Sequence, residues 1–187
     1  MDFPSYALPA SPIITPFSVE SLGLSLAVEL FATTTTLTGT ASATWSANNQ
    51  AFYYPFRLSA FVTVYQLLFW VGATSSGNID VGIYDAALRR IVSAGSTAMS
   101  ATVNTVQEIN IADTVLPPGD YLLGVSCSTT VGTCFRTSAN DEVVLCVVPV
   151  YEEALGSVTL PDPATPVLCT QSAVPIWVVG AQLVPTF

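Results

Sequence analysis

The stretch "GNIDVGIYDAALRRIVSAGS", residues 77–96, decides the fold class of this chain. Ile79, Val81 and Ile83 alternate with other residues at a period of two, which is typical of a β-strand with one buried face. Residues 84–87 follow as a predicted turn, and "LRRIVSAG" then predicts a second strand. The stretch therefore predicts an antiparallel β-hairpin.

Similar strand signals recur from residue 52 onward, with Gly, Pro, Asn and Ser between them. They are "FYYPFRLSA", "FVTVYQLLFWVG", "TVQEINI", "DYLLGVSCS", "EVVLCVVPV" and "VPIWVVGAQLV". "FVTVYQLLFWVG", residues 61–72, is apolar on both faces, which favours a central strand that is buried on both sides. Roughly eight or nine such strands and no convincing helix predict an all-β fold, an antiparallel β-sandwich that we expect to be a jelly roll.

One turn has a specific local signature. In "LPPGDYLLGV", residues 116–125, Pro118 presets φ for the first corner of a type II turn. Gly119 is expected to supply the positive φ of the second corner. The residues that follow predict a strand with one buried face, formed by Tyr121, Leu123 and Val125.

Residues 1–20 differ from the rest and predict an extended arm, followed by a single jelly-roll domain over residues 21–187. Prolines at positions 4, 9, 12 and 16 exclude a helix, because proline fixes φ and lacks an N–H. The arm is too apolar for a typical disordered tail. We expect it to lie against its own domain, as an edge strand, or against a neighbouring subunit. Its candidate assembly residues are Phe3, Tyr6, Leu8, Ile13, Ile14 and Phe17.

The composition is poor in charge. Hydrophobic residues make up 51% of the chain and charged residues only 9%, against roughly 25% charged in ordinary soluble domains. We therefore expect part of the surface to be covered by other subunits, as in a homo-oligomer. The charged residues comprise 13 acidic side chains and four arginines, for a net charge of -9. This balance argues against nucleic acid as a direct partner, because phosphates would be repelled.

The four cysteines, Cys127, Cys134, Cys146 and Cys169, form no C-x-x-C pair, and the chain has no histidine. The usual zinc ligand sets are therefore missing. Cys127 and Cys134 could face one another across a hairpin. Because residues 1–12 show no secretory signal pattern, we expect synthesis in a reducing cytoplasm, and both the free and the disulfide-bonded state stay open.

Residues 58–79 are uncharged and about as long as a membrane-spanning helix. Their strongly apolar part covers only about a dozen residues. Gln66 interrupts it, and no basic cluster flanks it. The Val, Phe, Tyr and Trp content suits a strand. We therefore expect no membrane span.

The sequence lacks residues that the common catalytic mechanisms need. Without histidine the common Ser-His-Asp and Cys-His arrangements cannot be built. Glu152 and Glu153, or Asp80 and Asp85, could serve a glycosidase, although solvated loop carboxylates are the simpler interpretation. A calcium site could use Asp80, Asp85, Asp113 and Asp120, but no loop concentrates them. We expect no catalytic residue, no cofactor and no metal.

One aromatic group is a candidate for binding a glycan. Sugars stack on aromatic rings while amide groups bind their hydroxyls. The alternative is that the rings fill the core and the adjacent asparagines form a turn. The candidate residues are Trp45, Asn48, Asn49, Tyr53 and Tyr54.

The run "GNIDVGIYDAALRRIVSAGSTA" and the later "VQEINIADTVLPPGDYLLGVS" resemble a β-sandwich module of bacteriophage virion proteins. That module joins a "VGIYD" strand to an "R-[LI]-V-x-x-G-S-T" strand and an "L-x-P-G-x-Y-x-L" turn. The match covers about residues 52–130. Ala86 and Ala87 stand where we expect a glycine after Asp85.

The resemblance implies a non-enzymatic virion structural protein, such as a capsid decoration, head fibre or tail fibre subunit. Its partners would be further copies of itself and other capsid or tail proteins. It would lie on the exterior of the virion after synthesis in the host cytoplasm. The alternative is a carbohydrate-binding module of a phage adhesin that recognises a host surface glycan.

Overall fold

The computed structural model describes residues 40–58, 60–137, 150–169 and 179–185. Over these residues the protein is all-β, with two antiparallel sheets. The N-terminal arm, with Phe3, Tyr6, Leu8, Ile13, Ile14 and Phe17, and most of the "EVVLCVVPV" segment lie outside the described residues. The strands are β1 (Thr40–Thr44), β2 (Gln50–Leu58), β3 (Val62–Val71), β4 (Asn78–Asp85), β5 (Arg90–Ser93), β6 (Thr97–Ala98), β7 (Thr105–Leu116), β8 (Gly119–Cys127), β9 (Thr133–Thr137), β10 (Tyr151–Ala154), β11 (Val167–Leu168) and β12 (Val179–Pro185).

The first sheet has the order β1-β9-β3-β12, and β7 also pairs with β3. β7 runs along the whole of one edge of β3, so that β12 and β9 share the opposite edge. The second sheet has the order β11-β10-β2-β8-β4-β5, and β6 also pairs with β4. All of these pairings are antiparallel.

The main core lies between the two sheets, and strict alternation along the strands of the second sheet places side chains in it. On β4 the inward residues are those predicted by the period-two pattern. On β8 the predicted buried face is also confirmed. From the second sheet the core receives Phe52, Tyr54, Phe56, Leu58, Ile79, Val81, Ile83, Tyr121, Leu123, Val125 and Cys127. From β3 of the first sheet it receives Val62, Val64, Leu67, Phe69 and Val71.

β3 is a central strand, as predicted, because both of its edges are paired. The prediction that both of its faces are buried is only partly correct. Leu68 is buried on the face away from the core, whereas Tyr65, Gln66 and Trp70 are half-buried. A β-bulge between Val64 and Gln66 also interrupts the alternation. An antiparallel sheet needs a fully apolar face only where it meets the core, so the second face of β3 tolerates partial exposure.

The predicted hairpin joins β4 to β5. Asp85 stabilises the turn, since its Oδ1 accepts the backbone N–H of Ala87 at 2.8 Å and that of Arg89 at 2.9 Å. The turn extends to residue 89, two residues beyond the prediction. Leu88 adopts the left-handed conformation, with a φ of 63°. The positive φ therefore falls at position 88, whereas a glycine was expected directly after Asp85, where Ala86 and Ala87 stand.

The predicted type II turn at Pro118 and Gly119 is wrong. Gly119 does not have a positive φ, and it already pairs with Leu58 as the first residue of β8. Pro117 and Pro118 alone connect β7 in the first sheet to β8 in the second. The proline rings fix both φ angles of this connection, and the chain bends at Pro118. The Tyr121 hydroxyl donates a hydrogen bond to the carbonyl of Pro117 at 2.6 Å.

The apolar segment over residues 58–79 forms β3 and its flanking residues. In the part of the chain that the structure describes, no helix is long and apolar enough to cross a bilayer.

Replacement of Phe69 by alanine tests the position of the core. Phe69 is completely buried in the main core, and we expect Phe69→Ala to lower the free energy of unfolding by about 3–5 kcal/mol. Phe61 precedes the same strand and is 51% exposed, so Phe61→Ala is the matched control and should cost less than about 1 kcal/mol. Guanidinium unfolding followed by circular dichroism measures both values. Equal losses in the two variants would contradict the described core.

Candidate functional site

Two of the aromatic residues predicted as a glycan site lie inside the main core. Trp45 and Tyr54 are each 1% exposed. The Trp45 ring packs edge-on against Phe52, with a centroid distance of 5.6 Å. Its indole N–H donates to the backbone oxygen of Gln50 at 2.8 Å. Neither ring therefore presents a face on which a sugar could stack.

Tyr53 lies on the opposite face of β2 and is also fully buried. It packs against Tyr84 in a T-shaped arrangement, with a centroid distance of 5.4 Å. The two asparagines belong to the β1–β2 turn: Asn49 has a φ of 56°, and the Asn48 side-chain oxygen accepts the backbone N–H of Thr130 at 2.9 Å. The five candidate residues are thus divided between two faces and a turn, and the structure does not bring them together.

The most elaborate arrangement of side chains lies on the outer face of the second sheet, beneath residues 155–165, here called the strap. Leu160 and Ala164 of the strap are buried and pack with Ala51, Tyr53 and Tyr84 in a second apolar cluster. The sequence analysis did not identify this segment, because its Pro, Ser and Thr content resembles that of an ordinary loop.

Two glycines leave room for this second cluster. A Cβ atom at Gly124 would lie 3.0–3.1 Å from ring atoms of Tyr53 and Tyr84. A Cβ atom at Gly82 would lie 2.9 Å from the carbonyl oxygen of Val92 and 3.1 Å from a methyl carbon of Leu160. The outward positions of β8 and β4 therefore have to be small where the tyrosines and the strap approach the sheet.

Asp80 holds the middle of the strap. Its Oδ2 accepts the backbone N–H of Leu160 at 2.9 Å, and its Oδ1 accepts the hydroxyl of Ser93 at 3.0 Å. The Arg90 guanidinium donates to the carbonyl of Leu160. The Tyr84 hydroxyl donates to the carbonyl of Pro161 at 2.7 Å. Consecutive backbone groups of the strap therefore bind side chains of the sheet.

Glu153 holds the end of the strap. It accepts the backbone N–H of Thr165 at 3.1 Å and the Thr165 hydroxyl at 2.8 Å. The same carboxylate accepts the hydroxyl of Tyr53 at 2.8 Å. One residue earlier in the strap, the Ala164 N–H donates to the carbonyl of Leu88 at 2.9 Å. Glu153 therefore joins the strap to the second apolar cluster.

Several titratable groups at this face are shifted by burial. Burial raises the pKa of Asp80, and the hydrogen bonds from Leu160 and Ser93 oppose this shift only in part. Burial also raises the pKa of Tyr53 and of Tyr84, so both hydroxyls stay protonated and act as donors. Shifted pKa values often mark functional sites. Here Asp80 and Tyr84 form hydrogen bonds to the strap, and Tyr53 forms one to Glu153, which holds the end of the strap. The shifted pKa values therefore accompany a structural role of these groups.

The carboxylates considered for catalysis do not converge. Glu152 and Glu153 are adjacent on β10, so their side chains point to opposite faces. Glu152 accepts the side-chain N–H of Gln50 at 2.6 Å. Asp120 forms an exposed bidentate pair with Arg57, at 2.6 and 2.9 Å. Among the described residues no group of three or more His, Cys, Asp or Glu side chains could hold a metal ion.

The exposed surface carries two features that the sequence analysis did not single out. The first is β11, which forms the edge of the second sheet within the described residues; there Val167 is 63% and Leu168 is 56% exposed. The second is a row on the outer face of the first sheet, here called the Trp70 row: Trp70, Leu68 and Gln66 on β3 lie opposite Val106, Glu108 and Asn110 on β7.

In the Trp70 row, the Gln66 amide donates to the side-chain oxygen of Asn110 at 2.6 Å, and Glu108 is exposed. Trp70 itself is half-buried. A partly exposed indole thus shares one face of the first sheet with two amides and a carboxylate.

Comparisons of the chain with protein-family models, with curated proteins and with solved structures gave no match.

Replacement of Asp80 tests the electrostatics under the strap. Because the pKa of Asp80 is raised, the folded state binds its proton more tightly than the unfolded state does. As the pH falls from 7 through the folded pKa, we expect wild type to gain stability relative to Asp80→Asn. The gain should be complete below the ordinary Asp pKa of about 4. Urea unfolding of both proteins across this pH range measures the difference.

Asp120→Asn is the control with the opposite sign. The hydrogen bond from Arg57 lowers the pKa of Asp120, so wild type should lose stability relative to this variant as the pH falls below the ordinary Asp value. The two differences should therefore change in opposite directions. A common direction would contradict the assignment of burial as the dominant influence on Asp80.

Proposed function

We propose that this protein is a non-enzymatic structural subunit that assembles with copies of itself and with other proteins on the exterior of a virion. In this proposal it is a capsid decoration, head-fibre or tail-associated component. The all-β architecture agrees with such a role, since sheets supply surfaces and strand edges with which another chain can associate. The resemblance of residues 52–130 to phage virion modules supplies the virion setting.

The exposed apolar edge of the second sheet carries the proposal. Val167 and Leu168 on β11 are more than half exposed, and an apolar edge strand favours pairing with another chain. Other large hydrophobic residues are exposed at Phe61, Val115 and Val131. Association with another protein surface that covers these side chains is favourable, because it removes apolar area from water.

The scarcity of charge supports the same conclusion. Only 9% of the residues are charged, so few ionic groups would have to lose their hydration at an interface. Many of the described carboxylates accept hydrogen bonds from groups of the protein itself, namely Asp80, Asp85, Asp120, Glu152, Glu153 and Asp162. These carboxylates thus stabilise the fold through hydrogen bonds within the chain.

The proposal also includes a jelly-roll topology and an N-terminal arm over residues 1–20 that anchors the subunit to its neighbours. Between β1 and β9 the chain changes sheet at six connections, β1–β2, β2–β3, β3–β4, β6–β7, β7–β8 and β8–β9. Frequent crossing between two sheets is compatible with a jelly roll.

Deletion of the arm tests assembly. We expect the intact chain to form an oligomer in gel filtration with light scattering. Deletion of residues 1–20 should reduce the measured mass without changing the β-type circular dichroism spectrum. Val167→Glu leaves the arm intact but places a charge on the edge strand, so a separate loss of mass would assign a contact to β11. An intact chain that is monomeric at all concentrations would contradict the proposed assembly.

Glycan recognition is a second candidate function, favoured by the partly exposed indole of the Trp70 row. Trp70 offers an aromatic surface, and Gln66 and Asn110 offer amides on the same face of the first sheet. These are the groups that bind sugar rings and hydroxyls. The originally predicted rings of Trp45, Tyr53 and Tyr54 are buried and do not support this function.

A glycan array with two tryptophan variants separates these sites. If the protein recognises a host surface glycan, Trp70→Ala should abolish the signal, because the exposed ring is removed. Trp45→Phe should retain it, because the Trp45 ring lies inside the core. Loss of the signal in Trp45→Phe alone, with an unchanged circular dichroism spectrum, would contradict the assignment to the Trp70 row.

A further inference from the structure

Two buried cysteines from different sheets are in contact. Cys127 is the last residue of β8 in the second sheet, and Cys134 lies in β9 of the first sheet. Both belong to the main core and are almost completely buried. Their side chains are hydrogen-bonded to each other. Since the Cys127 thiol donates to the carbonyl of Thr129 at 3.3 Å, Cys134 is the donor and the Cys127 sulfur is the acceptor.

The loop that joins β8 to β9 is held at both ends. Ser128 N–H donates to the carbonyl of Asn78, and Thr133 N–H donates to the carbonyl of Thr74, each at 2.8 Å. A Cβ atom at Gly132 would lie 2.5 Å from the carbonyl oxygen of Ser76, so the backbone is packed closely there. These contacts therefore fix the end of β8 and the start of β9, which carry the two thiols.

We propose that Cys127 and Cys134 are a disulfide site that links the two sheets when the chain meets a small disulfide such as oxidised glutathione. One cysteine thiolate attacks the small disulfide, which forms a mixed disulfide and releases one glutathione thiol. The second cysteine then displaces the other glutathione and closes the Cys127–Cys134 bond. Two protein thiols lose two hydrogens in total, and two glutathione thiols receive them.

Both cysteines are free thiols in this structure. The hydrogen bond between them lowers the pKa of Cys127, while the same bond and burial raise the pKa of Cys134. Both thiols are almost completely buried, so a small disulfide reaches neither of them while the core is closed. Oxidation therefore requires transient opening of this end of the fold, or it takes place during folding. A chain that folds in a reducing compartment would acquire the bond only after it leaves that compartment. This inference does not depend on the proposed virion role.

The arginine positions make the pairing easy to map. Trypsin cleaves after Arg90 and Arg136, so one peptide, residues 91–136, contains Cys127 and Cys134. The C-terminal peptide, residues 137–187, contains Cys146 and Cys169. The chain is unfolded and refolded in a redox buffer of reduced and oxidised glutathione, which exposes every thiol. It is then blocked with iodoacetamide, digested and analysed by mass spectrometry.

We expect the 91–136 peptide to carry no alkyl group and to lack the mass of two hydrogens. The C-terminal peptide should carry alkyl groups on both of its cysteines. Alkylation of both Cys127 and Cys134 would overturn the proposal. So would a disulfide that joins the two peptides, since Cys169 packs against the same core and is the competing partner.

Two cysteine variants test whether a change in stability on oxidation comes from the Cys127–Cys134 disulfide. Oxidation of wild type should lower the equilibrium constant for unfolding roughly ten- to a hundredfold, and dithiothreitol should reverse this. Cys134→Ala should abolish the change, whereas Cys169→Ala, the control in the same core, should retain it. An unchanged response to oxidation in Cys134→Ala would also overturn the assignment.

Discussion

The two-residue alternation of β2, β8 and β4 is the constraint on which the rest of this structure depends. Each of these strands buries one face in the main core, while its other face lies beneath the strap. A slip of one residue would exchange the two faces. It would place Asp80 in an apolar core and Ile79 among the polar anchors of the strap. Burial on both sides therefore fixes the register of the second sheet more tightly than burial on one side could.

The two faces are stabilised by different means. Between the sheets the side chains are apolar, and the free energy comes from the area that they bury. Under the strap the partners are irregular backbone, whose buried N–H and C=O groups need hydrogen bonds. Asp80, Arg90 and Tyr84 supply these bonds to consecutive strap residues. The cost of burying the Asp80 charge is visible in its raised pKa, so the strap is held at some electrostatic cost.

Periodicity predicted the strands because it is a local property of the chain. The face of β4 and the face of β8 follow from single residues and their neighbours, and both were predictable. The strap was not, because the bond from Leu160 to Asp80 joins residues 80 positions apart and leaves no local pattern. Gly119 was misassigned because a Pro-Gly pair signals a turn, yet here Gly119 is already the first residue of β8 in the other sheet and pairs with Leu58. Trp45 and Tyr54 show a further limit of prediction from sequence. Tryptophan and tyrosine occur both in protein cores and in sugar-binding sites, so the residue type alone does not separate the two roles.

The strap also makes the two outer faces of the molecule unequal. On the second sheet the chain covers its own outer face, where Tyr53 and Tyr84 are completely buried. On the first sheet, Tyr65, Gln66 and Trp70 of β3 stay half-exposed. Surface that is already covered cannot contribute to association. A partner would therefore bury more apolar area at the Trp70 row and at the exposed edge formed by Val167 and Leu168. The same segment that stabilises one face therefore leaves the other face and the sheet edge as the surfaces on which the proposed association would depend.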